Sequence, residues 1–266
     1  MTRHKPDYTL QLIFVFDVVP FMIYLFRCLV VPLYFLVIAL LGAIGCLLRP
    51  FNPDNSRLVG KAFSVGGLFL LGIKLKIENP EGVRDIAPGV VVANHQSNLD
   101  LFVHGAVIPK NTVSIGKSSL KYIPFFGQVY WLSGNIMIDR SNAKASINSM
   151  DQVSEAINKK GTSIWVFAEG TRSGGRGLAP FKKGAFHMAL QAQCPIYPIV
   201  SSTFSGRLKL NSWISGEVII KIMEPIHTKG MEAQELEDLV LSTHQKMAKE
   251  IARLDAQVLE NASLTQ

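Results

Sequence analysis

The residues with the clearest chemical potential are His95 and Asp100, in the run Asn94-His95-Gln96-Ser97-Asn98-Leu99-Asp100. Five residues along a helix turn through roughly 500°, which leaves the two side chains about 140° apart, so they cannot share a helix face. They meet if His95 stays in a loop and Asp100 opens the following helix. A carboxylate bonded to one imidazole nitrogen then sets the tautomer, and the other nitrogen is free to take a proton from a nucleophile. Ser-His-Asp sites use the same His-Asp pair. The bland alternative is a buried histidine held by a nearby aspartate.

Two further polar clusters stand in the same context, directly after an apolar run. Arg140 follows Ile136-Met137-Ile138, and Glu169-Gly170-Thr171-Arg172 follows Ser163-Ile164-Trp165-Val166-Phe167 and Ala168. Arg140 and Arg172 offer forked donors that suit a phosphate. Gly170 allows close backbone approach to a ligand. Glu169 could accept hydroxyl hydrogen bonds or hold an arginine. Ser97 lacks the GxSxG elbow of a hydrolase nucleophile, and no HExxH or Cys/His cluster suggests a metal.

Elements that bring these groups together can be read from the same stretch. Val90-Val91-Val92-Ala93 predicts a short buried strand ending at His95. Further strands are predicted over 74–78, 112–115, 136–138, 163–167, 195–200 and 217–222. Helices are predicted over 57–73, 101–108, 143–159, 185–193 and 232–260, with Gly66-Gly67 weakening the first. Such alternation implies an α/β fold with a mixed, largely parallel sheet and helices on both faces. In parallel sheets strand ends share one rim, where ligands bind.

Composition adds a membrane. Of 266 residues, 48% are hydrophobic and only 18% charged, and the net charge is +7. A basic, apolar chain suits an anionic lipid surface or a phosphorylated ligand, and no groove-reading or base-stacking motif points to nucleic acid. Cys28, Cys46 and Cys194 form neither a disulfide framework nor a metal site. Residues 28–48 carry no charge, and as a helix would be about 31 Å long, enough to span the hydrocarbon core. Residues 10–26 are apolar but hold Asp17 and Pro20. No cleavage site marks a signal peptide. A single span over 28–48 and a helical hairpin dipping into one leaflet both fit. The hairpin would put Arg3, Lys5, Arg49, Arg57 and Lys61 on one side, the cytoplasmic one by the positive-inside rule. The expected organisation is a membrane-anchoring segment over 1–56, a connecting helix over 57–73, an α/β domain over 74–230 and a C-terminal helix over 231–266.

The clusters resemble, in order, four motif blocks of the glycerolipid acyltransferases. The first is Asn94 to Asp100. The others are Gly134-Asn135-Ile136-Met137-Ile138-Asp139-Arg140, then Phe167-Ala168-Glu169-Gly170-Thr171-Arg172-Ser173, then Pro195-Ile196-Tyr197-Pro198-Ile199. Gly116-Lys117-Ser118-Ser119-Leu120 and Ile123-Pro124-Phe125-Phe126-Gly127-Gln128 are similar to the bacterial 1-acylglycerol-3-phosphate acyltransferases in particular. Ala168 stands where that family usually has proline. The resemblance implies acyl transfer from acyl-CoA or acyl carrier protein to lysophosphatidic acid, giving phosphatidic acid at the bacterial inner membrane. It implies a domain facing the cytoplasm, and no cofactor beyond the acyl donor. His95 would be the base and Asp100 its orienter. Arg140 and Arg172 would bind the acceptor's phosphate, with Lys117 and Lys183 as weaker phosphate candidates, and Glu169, Gly170 and Thr171 would shape that pocket. Rival readings are a different acceptor, a non-catalytic membrane-surface protein and a lipid hydrolase.

Overall fold

A computed structural model describes residues 8–83, 86–138 and 155–264. Seven strands form one sheet: β1 (Ile73–Glu78), β2 (Val90–Ala93), β3 (Thr112–Lys117), β4 (Ile136–Ile138), β5 (Ser163–Phe167), β6 (Ile196–Ser201) and β7 (Gly216–Ile222), in the order β1-β7-β6-β2-β5-β3-β4. Every neighbouring pair is parallel except β6 with β7. Five strands therefore share one direction, and β7 and β1 run against them. All four residues of β2 are buried, as a central strand covered on both faces requires.

Alternation along the strands divides the core into two layers. Val90, Val92 and Ile164 face a layer built with α5 (Gly184–Ala192) and α6 (Leu236–Leu264), where Phe186, Met247 and Leu254 are buried. Val91, Ala93 and Trp165 face the other layer, with Phe63 of α2 (Asp54–Leu71) and Phe102 of α3 (Asp100–His104). Most of the helix predicted over 143–159 lies outside the described residues.

α2 forms despite Gly66-Gly67, and its glycines have a packing reason. A Cβ on Gly67 would lie 2.1 Å from Phe102 Cδ1, and one on Gly60 would lie 2.5 Å from Ile108 Cδ1. The missing side chains let α3 sit directly on α2. α2 ends at Gly72, which adopts φ 64° and donates its N–H to Leu68 and Phe69 carbonyls, a left-handed C-terminal cap.

The N-terminal region differs from the two-segment expectation. One helix, α1 (Tyr8–Leu48), runs unbroken for 41 residues through Pro20, Arg27 and Pro32. Arg27, which stands between the apolar runs 10–26 and 28–48, is 5% exposed. Its guanidinium donates to the carbonyls of Leu70 (3.0 Å), Leu210 (2.9 Å), Ser212 (2.6 Å) and Trp213 (2.9 Å) and to Ser215 Oγ (2.9 Å). The charge is thus satisfied by the α/β domain and never needs to leave the helix. α1 also packs on α2 and on α4 (Phe126–Leu132) through Phe35, whose ring is 5.2 Å from Phe63 and 5.4 Å from Phe126. Phe21, Leu29, Leu33, Leu41 and Leu48 remain exposed. Val18–Leu48 is long and apolar enough to cross a membrane, and is compatible with membrane association.

Candidate active site

The site begins where β2 ends. Asn94 fastens that end to β6: its Nδ2 donates to the Ser201 carbonyl (3.1 Å), and its Oδ1 accepts the Ser201 N–H (2.8 Å). Gln96 does the same one step on, donating to the Ser202 carbonyl (2.8 Å) and accepting the Phe204 N–H (2.9 Å). Both amide side chains are buried. His95 stands between them with its backbone held from the β5 side. Its N–H donates to Glu169 Oε1 (2.6 Å), and its carbonyl accepts the Ser173 N–H (2.9 Å).

The loop returns to Asp100 at the start of α3. His95 Nδ1 lies 2.6 Å from Asp100 Oδ2. The same oxygen accepts the backbone N–H groups of Gln96 (2.7 Å) and Ser97 (2.9 Å). Three donors on one oxygen of a 2%-exposed carboxylate fix its direction. With Nδ1 donating to this carboxylate oxygen, Nε2 carries the lone pair. The imidazole stacks on Phe167, with centroids 4.1 Å apart and planes at 16°. Its side chain is 18% exposed, and Nε2 has no partner among the described residues. The arrangement can deprotonate a hydroxyl brought to Nε2.

The remaining sequence candidates divide. Arg140 lies outside the described residues. Thr171 and Arg172 are exposed on the loop after β5, next to Ser173, which bonds to His95. Gly170 turns that loop at φ 70°, its N–H donating to the Phe167 carbonyl (3.0 Å). Lys117 is exposed at the end of β3, paired with Ile138 of β4. Because β3 is parallel to β5, it ends at the rim that carries His95.

Glu169 and Lys183 occupy different places from those their types suggest. Glu169 is 2% exposed, and both of its oxygens are committed to backbone, Oε1 to His95 and Oε2 to the Ala179 N–H (2.9 Å). It staples the His95 loop to the loop after β5. Burial pushes its pKa up, against the opposing pull of the two N–H groups and His95. Lys183 pairs with Glu237 of α6, on the other layer of the sheet from the His95 ring, and that contact lowers the Glu237 pKa.

Sequence reasoning did not single out Asn94, Gln96 and Phe167 as site-building residues. The two amides flanking His95 were the available signal; their partners at the end of β6 and just beyond it could not be read locally. No group of three or more metal-ligating side chains is assembled among the described residues.

A family model described as "Acyltransferase" matches residues 74–202. The 1-acyl-sn-glycerol-3-phosphate acyltransferase of Haemophilus influenzae is 41% identical over 238 residues, 89% of this chain and 98% of that one. The protein of the same name from Escherichia coli is 38% identical over 240 residues, covering 90% and 97%. The human 1-acyl-sn-glycerol-3-phosphate acyltransferase beta is 31% identical, covering 85% and 82%. The crystal structure of the acyltransferase PlsC from Thermotoga maritima superposes with a TM-score of 0.69 over 90% of this chain and 98% of that one. At 21% identity, this supports the fold.

Proposed function

The chain belongs to the acyltransferase family that includes the bacterial 1-acyl-sn-glycerol-3-phosphate acyltransferases, and from that premise we propose its reaction. It transfers a fatty acyl group from a thioester, acyl-CoA or acyl carrier protein, to the sn-2 hydroxyl of lysophosphatidic acid, giving phosphatidic acid. The observation that carries the reading is the 2.6 Å contact between His95 Nδ1 and the buried Asp100 carboxylate, which leaves Nε2 as the base.

His95 Nε2 takes the hydroxyl proton as the oxygen attacks the thioester carbonyl carbon. The tetrahedral oxyanion collapses, the carbon–sulfur bond breaks, and the imidazolium returns its proton to the departing thiolate. No covalent enzyme intermediate is needed. Arg172 and Arg140 hold the acceptor's phosphate, with Lys117 adding positive charge at the rim. Glu169 acts through the His95 loop. The exposed apolar side of α1 keeps the domain at the bilayer, where both the lipid acceptor and the lipid product reside. Flanking Arg49, Arg57 and Lys61 support a cytoplasmic placement at the inner membrane.

The acceptor is tested with purified protein in vesicles, labelled acyl-CoA, and a panel of lysophosphatidic acid, glycerol-3-phosphate and lysophospholipids with larger headgroups. Preference for lysophosphatidic acid is expected. Faster transfer to any other acceptor contradicts the assignment while leaving the chemistry in place.

A further inference from the structure

Asp100 holds more than His95. Its Oδ2 accepts three hydrogen bonds, yet Oδ1 is buried and accepts none among the described residues. One helical turn on, His104 is 3% exposed and points its Nε2 at that oxygen, 3.6 Å away. Both His104 ring nitrogens are likewise buried and make no close hydrogen bond among the described residues, the Asn94 backbone being the other acceptor near the ring. A carboxylate oxygen and an imidazole nitrogen, each unsatisfied and facing the other, are complementary groups. Hydrogen bonds within catalytic sets are often long without substrate and shorten in the productive complex.

Resting on the reading of His95 as the base, we infer that His104 is a positioning residue: its Nε2–H donates to Asp100 Oδ1, making a His95–Asp100–His104 chain. The surroundings suit a neutral ring in that role. Trp165 and Phe167 of β5 stand edge-on to it at 5.7 and 5.6 Å between centroids. α2 meets α3 through Gly67, which faces Phe102, and meets Gly105 just beyond α3 through Gly60. Burial is the main cause that lowers the His104 pKa; Asp100 and the Asn94 backbone oppose it, and His95 adds to it. Glu169 is the other acidic group near this pair, bonded to the His95 backbone. A neutral imidazole has one N–H to give, and between the Asn94 backbone and a buried, unsatisfied carboxylate oxygen the carboxylate is the stronger claimant. With that donor in place the carboxylate is fixed at both oxygens, and its charge is shared between two imidazoles.

The test compares full-length His104→Leu and His104→Gln with wild type in acyl transfer, following kcat, both KM values, the pH profile of kcat/KM and the thermal midpoint. Leucine removes the donor, while glutamine can restore one. For His104→Leu, kcat is expected to fall about tenfold, the loss matching one charge-assisted hydrogen bond, with both KM values unchanged. Its acid limb should move to higher pH, because Asp100 then concentrates its charge on the His95 imidazolium. His104→Gln should regain most of the rate. A His104→Leu enzyme with wild-type kcat and acid limb overturns the inference. So does an equal loss in both variants with an unmoved acid limb. Should His104→Leu not fold, nitrogen NMR of histidine-labelled wild type decides: an Nε2–H tautomer at His104 is expected, and an Nδ1–H tautomer contradicts it. His95→Ala, run alongside, separates the two readings. Surviving transfer there defeats the assignment of the base, whereas a dead His95→Ala beside unaffected His104 variants defeats this inference alone.

Discussion

At the residue scale, few side chains touch the chemistry and many hold them in place. His95 is fixed by its ring through Asp100 and by its backbone through Glu169 and Ser173. Arg172 differs, being exposed on the loop beside these anchors, where a solvent-facing guanidinium can meet a phosphate. Arg172→Ala should raise KM for lysophosphatidic acid by about ten- to a hundredfold, the loss of one or two charge-assisted bonds. KM for the thioester should stay unchanged, and steady-state kinetics with each substrate varied in turn checks this. The spacing of His95 and Asp100 was legible in the sequence because it depends on a local strand–loop–helix turn. The role of Glu169 was not. A carboxylate after a strand looks the same whether it faces solvent or spends both oxygens on backbone N–H groups ten and seventy-odd residues away.

At the scale of elements, the strands were the most readable part. Val90 to Ala93 and Ser163 to Phe167 carry apolar side chains whose alternation sorts into two layers. The long C-terminal helix was equally visible, since Leu236, Leu239, Met247, Ile251 and Leu254 recur at helical spacing among charges. Two features resisted. Gly66-Gly67 counted against α2, yet Gly67 is what admits Phe102 and sets the height of α3 beneath Asp100. Gly67→Ala should therefore act twice. Its methyl group must displace Phe102, costing about 1–3 kcal/mol as core overpacking does. By tilting α3 it should also lower kcat more than it changes either KM. Thermal unfolding and kinetics on one preparation check both effects; a wild-type midpoint and rate would show that α2 and α3 can separate freely. The second feature was α1. Hydropathy reads an arginine in an apolar run as an end, because it cannot register five acceptors supplied by residues 70 and 210–215.

At the scale of the molecule, Arg27 makes the apolar helix and the α/β domain one body. Its acceptors lie at the end of α2 and on the loop that carries exposed Trp213, whose ring is 6.3 Å from that of Phe26. Arg27→Ala leaves at least four carbonyls without their donor, which should cost about 2–3 kcal/mol or more. The variant should still float with vesicles, because the exposed face of α1 is intact. A lower thermal midpoint with retained flotation is the expected pair of results; loss of flotation would place the membrane contact in the Arg27 region itself. The central claim remains a single proton transfer at a bilayer surface. It is tested most directly by single-turnover transfer of labelled acyl groups from acyl-CoA to lysophosphatidic acid in vesicles, with wild type beside His95→Ala. Labelled phosphatidic acid is expected from wild type alone, with His95→Ala folded, vesicle-bound and inactive. Labelled product at a comparable rate from His95→Ala would contradict it.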